Sequence, residues 1–225
     1  MDYKIKTLVM VLLIGSISSC NNEPFLESIF KSYSFEEDQQ GWQVAFAGYP
    51  VNQEANYQLS YGVNNLPQPN NNRKGLWLSG SNQGNNLFLF TYIQINNLIP
   101  DQQYSLSINL ALAANRDNAT SEYYLKVGTL SHTPKTIISE NVYQPDFDKG
   151  VASKDGEDLK IIGDLANSND GIGDALHTLS NQKSIYIKPD NNGTTYIVVG
   201  LDTNSPGLTS IFFDNIDISL KPISG

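Results

Sequence analysis

The last apolar run of the chain, from Ser210 to Leu220, carries a carboxylate where a carboxylate is costly. Counted by twos, Phe212, Asp214, Ile216, Ile218 and Leu220 share one face, so Asp214 is in phase with core residues. A buried carboxylate must be paired, hydrogen-bonded or bound to a metal. Calcium, a hard ion that takes oxygen ligands, is the natural metal. A hydrogen-bonded position near a strand bulge is the alternative. Other chemistry is thin. The chain has two histidines, His132 and His177, and one cysteine, Cys20, in polar or terminal settings. No nucleophile-elbow pattern occurs. Glycoside hydrolysis needs two carboxylates across a cleft. The acidic groups available are Glu36-Glu37-Asp38, Asp146 with Asp148, and Asp155-Glu157-Asp158, all in loop-like contexts. Asn167 to Asp174 suggests a calcium loop, but its spacing fails the EF-hand template. The chain is therefore expected not to be an enzyme.

Aromatic residues suggest a different chemistry. Sugars present apolar CH faces and hydroxyl edges, so a sugar site needs flat rings beside polar side chains. Trp77 faces opposite to Leu76 and Leu78. Phe88, Phe90 and Tyr92 form a stripe by period two. Tyr124 shares a wet face with Glu122 and Lys126, and Asn109 shares one with Ser105 and Ser107. Trp77, Tyr92, Asn109 and Tyr124 are the expected ligand-binding residues if the stripe and the wet face adjoin. The alternative is that Trp77 and the stripe fill the core.

The elements that must position these residues are strands. Short β-rich runs alternate with clusters of Asn, Gly, Pro and Asp, and no full helix is placed. The strands are expected near 33–36, 42–48, 57–63, 76–79, 87–95, 104–113, 123–128, 159–162, 184–188, 195–201 and 210–220. Tyr104, Leu106, Ile108 and Leu110 alternate with polar residues, as one packed face requires. The run 87–95 is apolar on both faces and reads as a central, doubly covered strand. Pro189 to Gly193 reads as a hairpin turn. The stretch 142–179 is irregular, a long loop region or an elaboration on one edge.

The first residues have the layout of a secretory signal: Lys4 and Lys6, an apolar run from Leu8 to Ile14, then small residues up to Cys20. The apolar run is shorter than the ~20 residues that span a bilayer. Ile17-Ser18-Ser19-Cys20 resembles the lipobox of bacterial lipoproteins, which implies an acylated Cys20 as the first mature residue and attachment to a membrane. Asn21 follows, where Asp is a familiar inner-membrane retention signal, so the outer membrane is expected. The organisation expected is a signal over 1–19, a lipidated tether over 20–32 and one domain over 33–225. Formal net charge is −9, and losing the signal makes it one unit more negative. Nucleic-acid binding, which needs a basic footprint, is excluded on that ground.

Ser34-Phe35-Glu36 with Gly41-Trp42, and Phe213-Asp214-Asn215-Ile216 near the end, resemble the bracketing strands of jelly-roll carbohydrate-binding modules. That resemblance implies a structural calcium held by Glu36 and Asp214. Asn215 stands where the family often has a second acid. Residues 74–90 and 159–164 are also similar to uncharacterised bacterial lipoproteins, which brings no activity. The fold expected is all-β, a single antiparallel jelly-roll-like sandwich of the galactose-binding type. The function expected is glycan binding without catalysis at the cell envelope. The rivals are an envelope-assembly protein bound to another protein and, behind it, a glycan-cleaving enzyme.

Overall fold

The computed structural model describes residues 27–84, 86–116, 123–165 and 176–223. Cys20 and the segment 167–174 lie outside them. In chain order the elements are β1 (Ile29–Ser34), β2 (Gln43–Ala47), β3 (Tyr49–Pro50), α1 (Glu54–Tyr57), β4 (Ser60–Asn65), β5 (Lys74–Asn82), β6 (Leu87–Ile95) and β7 (Tyr104–Arg116). Then follow β8 (Tyr123–Leu130), β9 (Thr136–Ser139), β10 (Val142–Pro145), β11 (Leu159–Asp164), β12 (His177–Ser180), β13 (Ile185–Ile187), β14 (Thr195–Thr203) and β15 (Gly207–Pro222). Among the described residues no helix is long and apolar enough to cross a membrane.

Two large sheets face each other. One runs β11-β8-β14-β6-β2, with β14 at its centre. The other runs β12-β7-β15-β5-β4, with β15 at its centre and β1 and β13 added along β15 and β7. A small third sheet, β3-β10-β9, sits beside them. All pairings within the two large sheets are antiparallel. From β5 to β8, and again from β13 to β15, each successive strand changes sheet, as a jelly-roll-like sandwich requires. The alternation read from sequence explains the core. Leu106, Ile108 and Leu110 of β7 and Ile216, Ile218 and Leu220 of β15 point inward. They meet Leu87, Leu89, Ile93, Leu125, Val127, Ile197 and Val199 from the β14 sheet.

Four readings need correction. β1 begins at Ile29, inside the stretch read as a tether, because its residues pair with Asn215 to Leu220. The turn Pro189 to Gly193 is not a hairpin: it carries the chain from β13 in one sheet to β14 in the other. Phe212 does not share a face with Ile216 to Leu220. The register of β15 against β7 shifts between Phe213 and Asn215, and Asp214 is the extra residue. A bulge of this kind reverses the inward phase, so Ile211 and Phe213 point in before it and Ile216 after it. Finally, the wet face read on β8 is roofed. Residues 146–158 cross the outer face of the β14 sheet, and Lys126 beneath them is 0 % exposed.

Candidate functional site

The outer face of the β14 sheet is aromatic. Phe88, Phe90 and Tyr92 on β6 face outward with Tyr196 and Val198 on β14, because their odd-numbered neighbours face the core. Phe88 and Phe90 stack with centroids 5.0 Å apart. Gly200 makes room for them, since a Cβ there would lie 2.4 Å from the Phe88 ring. The roof then covers half of this face. Phe147 drops edge-on against Phe90 and Phe88, at 5.5 and 6.3 Å between centroids. Gly128 lets the roof lie close, because a Cβ there would meet Asp158 O at 2.0 Å.

An ion core holds the roof down. Lys126 Nζ shares its three hydrogens among Asp202 Oδ2 at 2.8 Å and the carbonyl oxygens of Lys149, Val151 and Lys154 at 2.9, 3.1 and 3.2 Å. Lys149 Nζ reaches the same Asp202 oxygen at 2.7 Å and lies 5.4 Å from the centre of the Phe88 ring. Burial pushes the Lys149 ammonium below its ordinary pKa, and Asp202 opposes that shift. Asp202 is 0 % exposed, and its Oδ1 is buried without a partner among the described residues. An ammonium amid four oxygens ties three loop carbonyls to two strands, the work a structural cation does elsewhere.

Two openings remain. At one end of the face, half-buried Tyr92 and Tyr196 meet edge-to-face at 6.5 Å. Exposed Gln43 and Gln94 lie beside them in the ladder. Thr133 Oγ1 donates to or accepts from the Tyr196 hydroxyl at 2.8 Å, and His132 Nε2 stands 3.5 Å from Asp146 Oδ2. Burial, then Tyr196 and Asp146, push the Tyr92 phenol above its usual pKa, so it keeps its proton and can donate. On the far side of the segment 144–147 is a cleft of about 420 Å³ between Gly48–Pro50, Asn86, β10 and the start of the roof.

The four residues expected to bind a ligand together do not converge. Tyr92 and Tyr124 lie on the outer face of the β14 sheet, but at different levels, with the roof between them. Trp77 and Asn109 lie on the outer face of the opposite sheet. The single platform of Trp77 with Tyr124 is therefore corrected: the two rings face away from each other across the sandwich. Trp77 is half-buried and stacks at 6.3 Å with Phe212, its cross-strand partner. Asn109 pairs with Ser180 through its side-chain oxygen. Phe88 and Phe90, at 0 % exposure, belong to a second apolar cluster rather than to a surface. Trp42 is core, edge-on to Tyr33 and Phe35.

Glu36 and Asp214, the expected calcium pair, do converge, with a cation of the chain between them. Arg73 Nη2 donates to Asp214 Oδ2 at 2.5 Å, and Arg73 Nε lies 3.8 Å from Glu36 Oε1. Glu36 Oε2 also accepts the Lys74 backbone N–H. Asp214 is 3 % exposed, and its Oδ1 has no partner among the described residues. Burial raises its pKa, Arg73 opposes this, and Glu36 adds to it. Arg73 stands against Asp214 Oδ2 in this arrangement, so a calcium ion shared by the two carboxylates would have to displace it. Among the described residues no three His, Cys, Asp or Glu side chains are grouped to share a metal.

The loop carboxylates act as staples. Asp148 accepts the backbone N–H groups of Gly150 and Glu157, which hold its pKa below the usual value. Asp155 accepts Ile161 N–H and pairs with Lys183, and its pKa is lowered as well. Asp158 accepts the Asp148 N–H. Sequence reasoning missed Lys126, Asp202, Lys149, Phe147 and Tyr196. One signal was present: Asp202 interrupts an apolar run in phase with Val198 and Gly200, as Asp214 does in the last strand.

No protein-family model matches the chain, and no curated protein matches it. Among solved structures it is similar to the CBM22-1–GH10 modules of endo-1,4-β-D-xylanase 10B from Clostridium thermocellum, at 16 % identity and a TM-score of 0.42, over 86 % of this chain. This chain spans only 28 % of that one. It is similar to the CBM22-1 xylan-binding domain of Xyn10C from Paenibacillus barcinonensis, at 12 % identity and a TM-score of 0.43, covering 86 % of this chain and 95 % of that one. The xylan-binding module CBM15 gives 14 % and 0.41, covering 86 % and 97 %. The latter two are xylan-binding modules, and the first joins such a module to a GH10 module. At such scores no residue and no ligand is transferred, and the sandwich rests on its own strand pairings.

Proposed function

We propose that the chain is a lipid-anchored, non-catalytic β-sandwich that binds a glycan on the open half of the β14 sheet. The observation that carries this is the pair Tyr92 and Tyr196, half-exposed at the edge of the roof and flanked by Gln43, Gln94 and the His132–Asp146 pair. A ring of Tyr92 offers an apolar face to a sugar, while amides and the carboxylate take hydroxyls. Cys20 supplies the anchor, by preference in an outer membrane. Among the described residues the strand pairings of the two large sheets lie within 29–222, so a fragment from Asn21 to Gly225 keeps all of them. Affinity electrophoresis of that fragment in gels of xylan, mannan, glucan and pectin tests the reading. Retardation by one glycan, lost in Tyr92→Ala and kept in Trp77→Ala, is expected. Loss in Trp77→Ala alone would move the site to the opposite sheet, and no retardation by any glycan would sink it. Partition of the full-length protein into detergent, lost in Cys20→Ala, tests the anchor.

One observation favours the protein-binding rival. β9 pairs only with β10 among the described residues, and Ile137 and Ile138 on it are 46 % and 62 % exposed. Such an edge can take another strand. Capture of an envelope protein by the wild type, lost in Ile138→Lys, would support that reading. Calcium at Glu36 and Asp214 is a further proposal, favoured by the unpartnered Asp214 Oδ1 and requiring Arg73 to swing away. A chelator-dependent melting temperature would support it.

A further inference from the structure

The cleft beside the roof is lined by two carboxamides without a hydrogen-bond partner among the described residues. Its volume of about 420 Å³ lies within the ~300–1,000 Å³ of small-molecule sites. Asn86 and Gln144 line it, and their carboxamides have no hydrogen-bond partner among the described residues. Lys149 lines it as well. Its ammonium donates to Asp202 Oδ2 at 2.7 Å and Gly150 O at 3.3 Å and lies 5.4 Å from the centre of the Phe88 ring, so it adds positive charge at the back of the cleft. Val142, Pro145 and Phe147 supply an apolar wall.

Charge decides the ligand class. Lys126 and Lys149 contribute two positive charges near the cleft, and Asp202 and Asp148 contribute two negative ones. The Asp148 oxygens are occupied by backbone N–H groups. The site is thus close to neutral inside a protein of net charge −9, which repels anions at long range. Two amides that both donate and accept, beside an apolar wall, match adjacent hydroxyls on a ring with an apolar face.

We infer that this cleft binds one or two units of an uncharged sugar, separately from the Tyr92 face. The segment 144–147 is the shared wall. Asp146 turns toward His132 on one side, while Gln144, Pro145 and Phe147 line the cleft on the other. The inference rests on the glycan reading only for the choice of probes.

The test is a titration of the 15N-labelled Asn21–Gly225 fragment with xylobiose, mannobiose and cellobiose, each to about 10 mM, a range suited to weak sites. Glucuronate forms the charged arm. Shifts of the Asn86 and Gln144 side-chain amides by at least one neutral disaccharide, and weaker shifts by glucuronate, are expected. Gln144→Leu and Asn86→Ala should each weaken that binding about tenfold without changing the melting temperature, since both side chains lie at the surface. Silence of both amides with all three disaccharides, shifts confined to Tyr92 and Tyr196, or stronger binding of glucuronate would each overturn the inference. The two readings fail separately. Silent cleft amides with Tyr92-dependent retardation in gels leave the glycan face standing. Shifted cleft amides with no effect of Tyr92→Ala do the reverse.

Discussion

Each large sheet carries one buried aspartate on its central strand, and the two are solved differently. Asp202 sits in an unbroken ladder, pairing with Phe88 on one side and Tyr124 on the other. Its carboxylate meets two ammoniums and is sealed under a loop. Asp214 sits on a bulge midway along its strand and meets one half-exposed guanidinium. The difference shapes the outer faces. The ion core around Asp202 fastens residues 146–158 over the β14 sheet, leaving an aromatic edge and a cleft as openings. The cluster around Asp214 fastens no such roof, and Trp77 lies against Phe212 on the opposite outer face.

The contrast can be broken most sharply at Lys126. Removing one partner of a buried ion pair typically costs about 3–5 kcal/mol. Lys126→Met also strips a donor from three loop carbonyls, so urea unfolding should show a loss of that size. A loss below about 1 kcal/mol would mean the ion core does not hold the roof. Phe147→Ala removes the apolar half of the same fastening, at about 3 kcal/mol, and should uncover Phe88 and Phe90 to a hydrophobic dye. Arg73→Met belongs to the other aspartate. Its half-exposed guanidinium is screened by water, and the expected loss is about 1–2 kcal/mol. Equal losses for Lys126→Met and Arg73→Met would erase the distinction.

The pH dependence sharpens it further. The folded-state pKa of Asp214 is raised above 3.8 by burial, so the folded protein binds that proton more tightly than the unfolded chain. Its contribution to stability is present at low pH and is lost as pH rises through the folded value. Asp148 and Asp155 have lowered values, so theirs is present at neutral pH and is lost as pH falls. The stability of wild type relative to Asp214→Asn should therefore decline from about pH 4 upward, as read by urea unfolding of both proteins across the range. A difference that stays flat would show that Arg73 cancels the burial. The smallest effect expected is from a chelator. If calcium displaces Arg73 from Asp214, a chelator should lower the melting temperature by a few degrees, and an unmoved melting temperature would leave that end of the sandwich to Arg73.

Much of the sandwich was legible because strands write their burial locally. The run 87–95 reads as a doubly covered strand and is one: its inner residues fill the core, while Phe88 and Phe90 lie under Phe147. Tyr104 to Leu110 alternates in sequence and in space. The candidate site was far less legible. Tyr92 was named and stands at an opening, but its partner Tyr196 was not. Lys126 looked solvated because nothing in Leu125-Lys126-Val127 reveals a loop that crosses from residues 146–158.

By itself the sequence determined that this chain is a set of alternating strands with an acidic composition and one costly aspartate, Asp214, on an apolar strand. Those properties follow from residue type and a period of two, which neighbouring residues carry. Tertiary structure alone decided which cations meet Asp202 and Asp214, where the bulge reverses the phase of β15, and that Trp77 and Tyr124 face opposite ways. Each depends on contacts between residues far apart in the chain: Lys126 with Asp202, Arg73 with Asp214, Phe147 with Phe88. Sheet pairing and the packing of one loop bring these together, and no local pattern encodes either.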